Sequence, residues 1–155
     1  MDKTATQWMV EPLKKYATFS GRARRKEFWW FYLLCVLAIV VLCIAFALLS
    51  AGDAMGVAAL LLIPILALFV PLVAVQVRRL HDVNRSGWWL LGSVVLGALS
   101  GGIDATKLPQ TEPLAVLLVA LAQLGFGILI LVWLCSRGTI GENRFGPDPL
   151  AAPDA

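Results

Sequence analysis

Charge is scarce in this chain. Of its 155 residues 15% are Asp, Glu, Lys or Arg against 59% apolar, and the mean hydropathy is +0.80; soluble domains carry about a quarter charged residues. One domain of this length cannot hide so much apolar surface from water, so the bilayer must be its solvent. Histidine is nearly absent. His81 stands alone, which excludes a multi-histidine metal site. Cysteine is sparse too: Cys35 and Cys43 share one apolar run and Cys135 ends another, a pattern of neither zinc sites nor secreted disulfide frameworks. They read as small membrane-facing or packing residues, and no metal or cofactor is implied. The apolar runs carry no ionisable residue in mid-span, and Gln76 and Gln123 are their only amides. Ion paths and proton relays need such groups, so a transporter or channel built on Gln76, Ser93, Ser100 and Gln123 ranks second to a structural or binding protein.

Crossing the hydrocarbon takes about 20 helical residues. Four runs come near that length, 28–51, 57–77, 88–103 and 114–135, so the fold class is an all-α, four-span bundle forming a single membrane domain over 1–155. The third run is short and rich in glycine, and its helix is expected to give out near Ser100. Ser93, Gly97 and Gly101, and likewise Cys43, Ala47 and Ala51, form small-residue stripes suited to close helix packing. Pro64 and Pro71 are positioned to kink the second span.

Twelve of the thirteen Lys and Arg residues fall in the N-terminal segment, the loop after the second run and the C-terminal tail; only Lys107 lies opposite. By the positive-inside rule both termini are cytoplasmic, and the basic excess needs no nucleic-acid partner. Trp29, Trp30, Tyr32, Trp88, Trp89 and Trp133 sit where amphipathic rings prefer the headgroup level. Trp8, Met9, Leu13, Tyr16 and Ala17 recur at helical spacing, which suggests a short interfacial helix starting or kinking near Pro12.

Three polar stretches gather on the charged face: 19–30, 77–89 and 138–149. They hold Phe19-Ser-Gly-Arg22, Arg25-Lys-Glu-Phe-Trp29, Arg78-Arg-Leu-His-Asp82, Ser86-Gly-Trp-Trp89 and Gly141-Glu-Asn-Arg-Phe-Gly-Pro-Asp-Pro149. Plain topology signals need only lysine; arginine, glycine, asparagine and tryptophan add planar donors, tight turns and stacking faces. In these ordered motifs the chain resembles the bacterial inner-membrane family called domain of unknown function 805, from about Trp8 to Pro149. The resemblance implies a small multi-span inner-membrane protein and supplies no catalytic residues.

The candidate site is therefore Arg22, Arg25, Arg78, Arg79, His81, Asp82, Arg85, Asn143 and Arg144, expected to meet in one cluster with Glu27. Helical spacing allows Arg24 to pair with Glu27 and Arg78 with Asp82. Ion pairs that merely fix the helix ends are the prevailing alternative. Arg22, Arg25, Arg78, Arg79 and Arg144 against Glu27 and Asp82 leave an excess that must be hydrated or neutralised. Guanidinium groups fit phosphate, so the expected partners are anionic membrane lipids or a phosphate-bearing ligand, with a membrane-protein partner or a second copy also open. A lipid-phosphate enzyme using His81 ranks last, because neighbours on a helix point apart and no nucleophile motif accompanies it.

Overall fold

The computed structural model describes residues 4–51, 55–101 and 113–151. They form six helices: α1 (Ala5–Lys14), α2 (Arg25–Ala51), α3 (Met55–Leu60), α4 (Leu62–Asp82), α5 (Trp89–Gly101) and α6 (Pro113–Cys135). By length and apolar character α2, α4 and α6 can each cross a membrane, while α5 is a shorter apolar helix.

α1 starts from a capping box: Gln7 N–H donates to the Thr4 hydroxyl, and Thr4 N–H donates to the Gln7 side chain at 2.9 Å. It begins well before Pro12 rather than starting there, because a proline near the last turn removes only one hydrogen bond before the helix ends at Lys14. Its buried face is Trp8 and Pro12, set against α2 and α4. Leu13, Tyr16 and Ala17, expected with Trp8 on the apolar face of an interfacial helix, are exposed, and Tyr16 and Ala17 lie beyond the helix end.

The 27 residues of α2 reach about 40 Å, more than the roughly 30 Å hydrocarbon core requires. Its surplus length is used at the start. Glu27, Phe28, Phe31 and Cys35 are buried, whereas Leu37, Val40, Val41, Ile44 and Leu48 are exposed. The core of the molecule accordingly sits at one end, where Ala23, Phe28, Phe31 and Cys35 meet Val75 and Leu80 of α4 and Ile130 and Leu134 of α6. Beyond it the helices present apolar surface that hydrocarbon, not water, can solvate.

The second span departs from 57–77 at both ends. The chain turns at Leu61 because Pro64 has no N–H for the Leu60 carbonyl, and its ring is tolerated only in the first turn of a new helix. At the other end α4 runs five residues past Val77, since Arg78, Arg79 and Asp82 are neutralised inside the protein rather than facing lipid. It stops in a Schellman turn. Asn84 adopts the left-handed conformation (φ 58), its N–H bonding the His81 carbonyl and Arg85 N–H the Leu80 carbonyl. Within α4, Pro71 leaves the Ala67 carbonyl without its helical donor, and the Tyr16 hydroxyl donates to it at 2.6 Å.

α5 packs on α6 through Gly92, where an added Cβ would strike the Phe126 ring. The expected stripe does not make this contact. Ser93 is exposed and nothing approaches Gly97; Cys43, Ala47 and Ala51 likewise face outward. α5 is helical through Gly101, one residue past the Ser100 near which it is expected to give out; residues 102 and 103 of the expected third span lie outside the described residues. α6 follows the expected fourth run.

Candidate functional site

The three polar stretches meet at the core end of the bundle. Ala23 N–H donates to the Arg78 carbonyl at 3.0 Å and Thr139 N–H to the Asp82 carbonyl at 2.8 Å, so both the approach to α2 and the tail after α6 are tied to the end of α4. Gly21 (φ 82) and Gly141 (φ 78) supply the left-handed turns these segments need.

Asp82 is the centre. Its Oδ1 accepts from Arg22 Nε at 2.9 Å and its Oδ2 accepts from Arg79 Nη1. Arg22 then donates through Nη1 to the Gly141 carbonyl at 2.6 Å and through Nη2 to the Thr139 carbonyl, with Asp148 3.9 Å away. Arg79 donates to the carbonyls of Leu134 and Ser136, which places a cation on the unpaired end of α6 as the helix dipole favours. A Cβ at Gly138 would run into the Asp82 carboxylate, so only glycine lets the tail pass. Arg78 pairs with Glu27 at 2.9 Å, and its Nη2 is buried without a partner among the described residues.

These pairs differ from the expected ones. Arg24 precedes α2, so it has no helical register with Glu27 and lies instead over the Trp8 ring at 5.8 Å. Glu27 faces α4 and takes Arg78; Asp82 is left to Arg79, one turn back, and to Arg22. His81 turns away from Asp82. Its Nδ1 lies 3.1 Å from the Gly21 carbonyl, and its ring stacks on Phe145 with centroids 3.9 Å apart.

Asn143 donates to the His81 carbonyl at 2.9 Å and to the Thr139 hydroxyl, while its own side-chain oxygen accepts from Phe145 N–H. Arg144 and Arg85 are exposed at the rim, Arg144 reaching the Asn84 carbonyl at 3.3 Å and Arg85 lying over Trp133 at 4.8 Å. Arg25 is outside the knot and exposed.

Asp148 is the acid that sequence reasoning passed over, although it stands inside the Gly-Pro-Asp-Pro motif. Leu150 N–H and Gly141 N–H bond its two oxygens at 2.8 and 2.9 Å; these bonds, with Arg22 nearby, hold its carboxyl below the usual range. With Asp148 included, Arg22, Arg78 and Arg79 face Glu27, Asp82 and Asp148, and the knot is neutral.

Other cations stay outside it. Arg24, Arg25, Lys26 and Arg137 border a cavity of about 190 Å³ beside Gly138 and Leu150. Arg25 and Lys26 also border a groove of about 610 Å³ that continues along Trp29, Trp30 and Leu33 to Cys135. A third cavity, about 530 Å³ and mostly apolar, lies between α4, α5 and the tail, with His81 and Phe145 in its wall.

Fold and site together define a multi-span helical membrane protein closed at one end by an internally neutralised arginine–carboxylate knot. A family model described as "Protein of unknown function (DUF805)" matches residues 16–147, and the chain belongs to that family. It is 37% identical over 146 residues to "Inner membrane protein YhaH" of Escherichia coli (strain K12), covering 94% of this chain and 98% of that one. It is 33% identical over 143 residues to "Inner membrane protein YhaI" of the same organism, covering 92% and 95%. No solved structure matches it.

Proposed function

We propose that the protein is a bacterial inner-membrane binding or structural protein, with four crossings and both termini in the cytoplasm, that holds a phosphate-bearing anion at its cytoplasmic face. The relatives' names support the membrane, and the one-sided distribution of Lys and Arg supports the orientation. α5 serves as the fourth crossing, short enough to need a locally thinner bilayer.

One observation carries the binding reading. Arg22, Arg78 and Arg79 are engaged by the protein's own acids and carbonyls, while Arg24, Arg25, Lys26 and Arg137 converge on a cleft and form no ion pair with the described residues. The knot is thus a clasp, and the site belongs to the cations beside it. Mass spectrometry of gently extracted protein tests this. Retention of phosphate-bearing adducts over zwitterionic ones supports the reading, and indifference between them refutes it. Reporter fusions after Ala54 and Gln110 should read outside, and fusions at Asp2 and Pro153 inside; a cytoplasmic signal at Gln110 would refute the orientation.

A further inference from the structure

The cationic cavity and the apolar groove adjoin, with Arg25 and Lys26 in the walls of both. Resting on the anion-binding reading above, we propose that this composite cleft, between the start of α2 and the end of α6, is a site for one anionic phospholipid of the surrounding bilayer. Arg24, Arg25, Lys26 and Arg137 take the headgroup phosphate, and an acyl chain lies along Trp30 and Leu33.

Charge complementarity is the first argument. Four cations face one cavity, and the one carboxylate among the described residues of its wall, Asp82, already has each oxygen bonded to an arginine. A phosphate there meets net positive charge in a setting of partial burial, where charge-assisted hydrogen bonds are strong.

Shape separates lipid from a soluble phosphate compound. A small phosphorylated metabolite would fill the compartment of about 190 Å³ and leave the adjoining groove of about 610 Å³ with nothing to match its apolar wall. A phospholipid satisfies both. The groove leads from the charged end onto exposed apolar positions of α2, among them Trp30, Leu33 and Leu37. Tryptophan at the junction suits the headgroup boundary.

The test uses the full-length protein in mild detergent, offered phosphatidylglycerol, phosphatidylcholine or glycerol 3-phosphate, with adducts read by native mass spectrometry. One phosphatidylglycerol should be retained in preference to phosphatidylcholine. Arg25→Gln/Arg137→Gln should weaken that retention by roughly tenfold or more, and the charge-matched Lys14→Gln/Lys15→Gln should leave it unchanged. Arg25 and Arg137 are exposed and make no side-chain hydrogen bond or ion pair with the described residues, so their loss spares the fold. Leu33→Trp, at a position 42% exposed, probes the groove independently and should also reduce retention. Undiminished phosphatidylglycerol binding in Arg25→Gln/Arg137→Gln would overturn this site while sparing the broader reading, whereas no preference over phosphatidylcholine would overturn both. Displacement of the lipid by equimolar glycerol 3-phosphate would overturn the lipid in favour of a soluble phosphate.

Discussion

Asp82 shows how little redundancy the knot contains. It is 5% exposed, and each of its oxygens accepts a hydrogen bond from a different buried arginine. Asp82→Asn strands those charges, and breaking a buried pair costs about 3–5 kcal/mol. Denaturant unfolding in mixed micelles should show a loss of that order, against about 0.5 kcal/mol or less for Arg144→Gln, whose side chain is exposed. Asp148 adds a pH dependence. Its carboxyl is held below the usual range mainly by the N–H groups of Leu150 and Gly141, so it contributes stability above the unfolded-state pKa of about 4. That contribution is lost as pH falls through the lower folded value. Proteolysis of the tail should therefore accelerate in acid in the wild type, and Asp148→Asn should remove that component of the acceleration while making the tail more labile at neutral pH.

At the level of elements, α4 is where reading the sequence by hydropathy falls short. α6 is legible from its apolar run alone, because nothing interrupts it between Leu114 and Cys135. In α4 the same criterion stops at Val77, since it scores Arg78 and Arg79 as though they faced solvent. Only the tertiary partners Glu27, Leu134 and Ser136 reveal them as interior residues. The gathering of the three motifs was legible from their common face; the choice of partners was not, as it depends on where α2 begins and on the path of the tail. Pro71 carries a related lesson. The carbonyl it orphans is served by a tyrosine 51 residues away in sequence, a link no local spacing encodes. Tyr16→Phe should cost about 1 kcal/mol. In a Pro71→Ala background, where residue 71 regains an N–H for Ala67, the same substitution should cost much less. A double-mutant cycle on thermal or denaturant unfolding measures the difference, and equal costs in both backgrounds would contradict the assignment.

For the whole molecule, the knot makes the tail part of the fold rather than an appendage to it. α2 and α6 bury little of their apolar length, so the tightest packing lies at the end where Phe28, Phe31, Leu80 and Leu134 meet. The tail covers that end. Ser136, Thr139 and Gly141 supply carbonyls to Arg79 and Arg22, and Asp148 adds the third negative charge. Ending the chain after Cys135 would remove all of these acceptors and leave Asp82 alone to compensate two guanidinium groups at the interface of three helices, and undercompensated buried charge is among the costliest defects in a protein. Such a truncation should lower stability by more than Asp82→Asn does, and should release the charged ends of α2, α4 and α6 to hydrogen exchange together. Ending the chain after Ala151 preserves each of those bonds and should leave unfolding unchanged. If the shorter chain unfolds at the same denaturant concentration as the longer one, the tail is not the closing element described here, and Arg22 and Arg79 must find their neutralisation elsewhere.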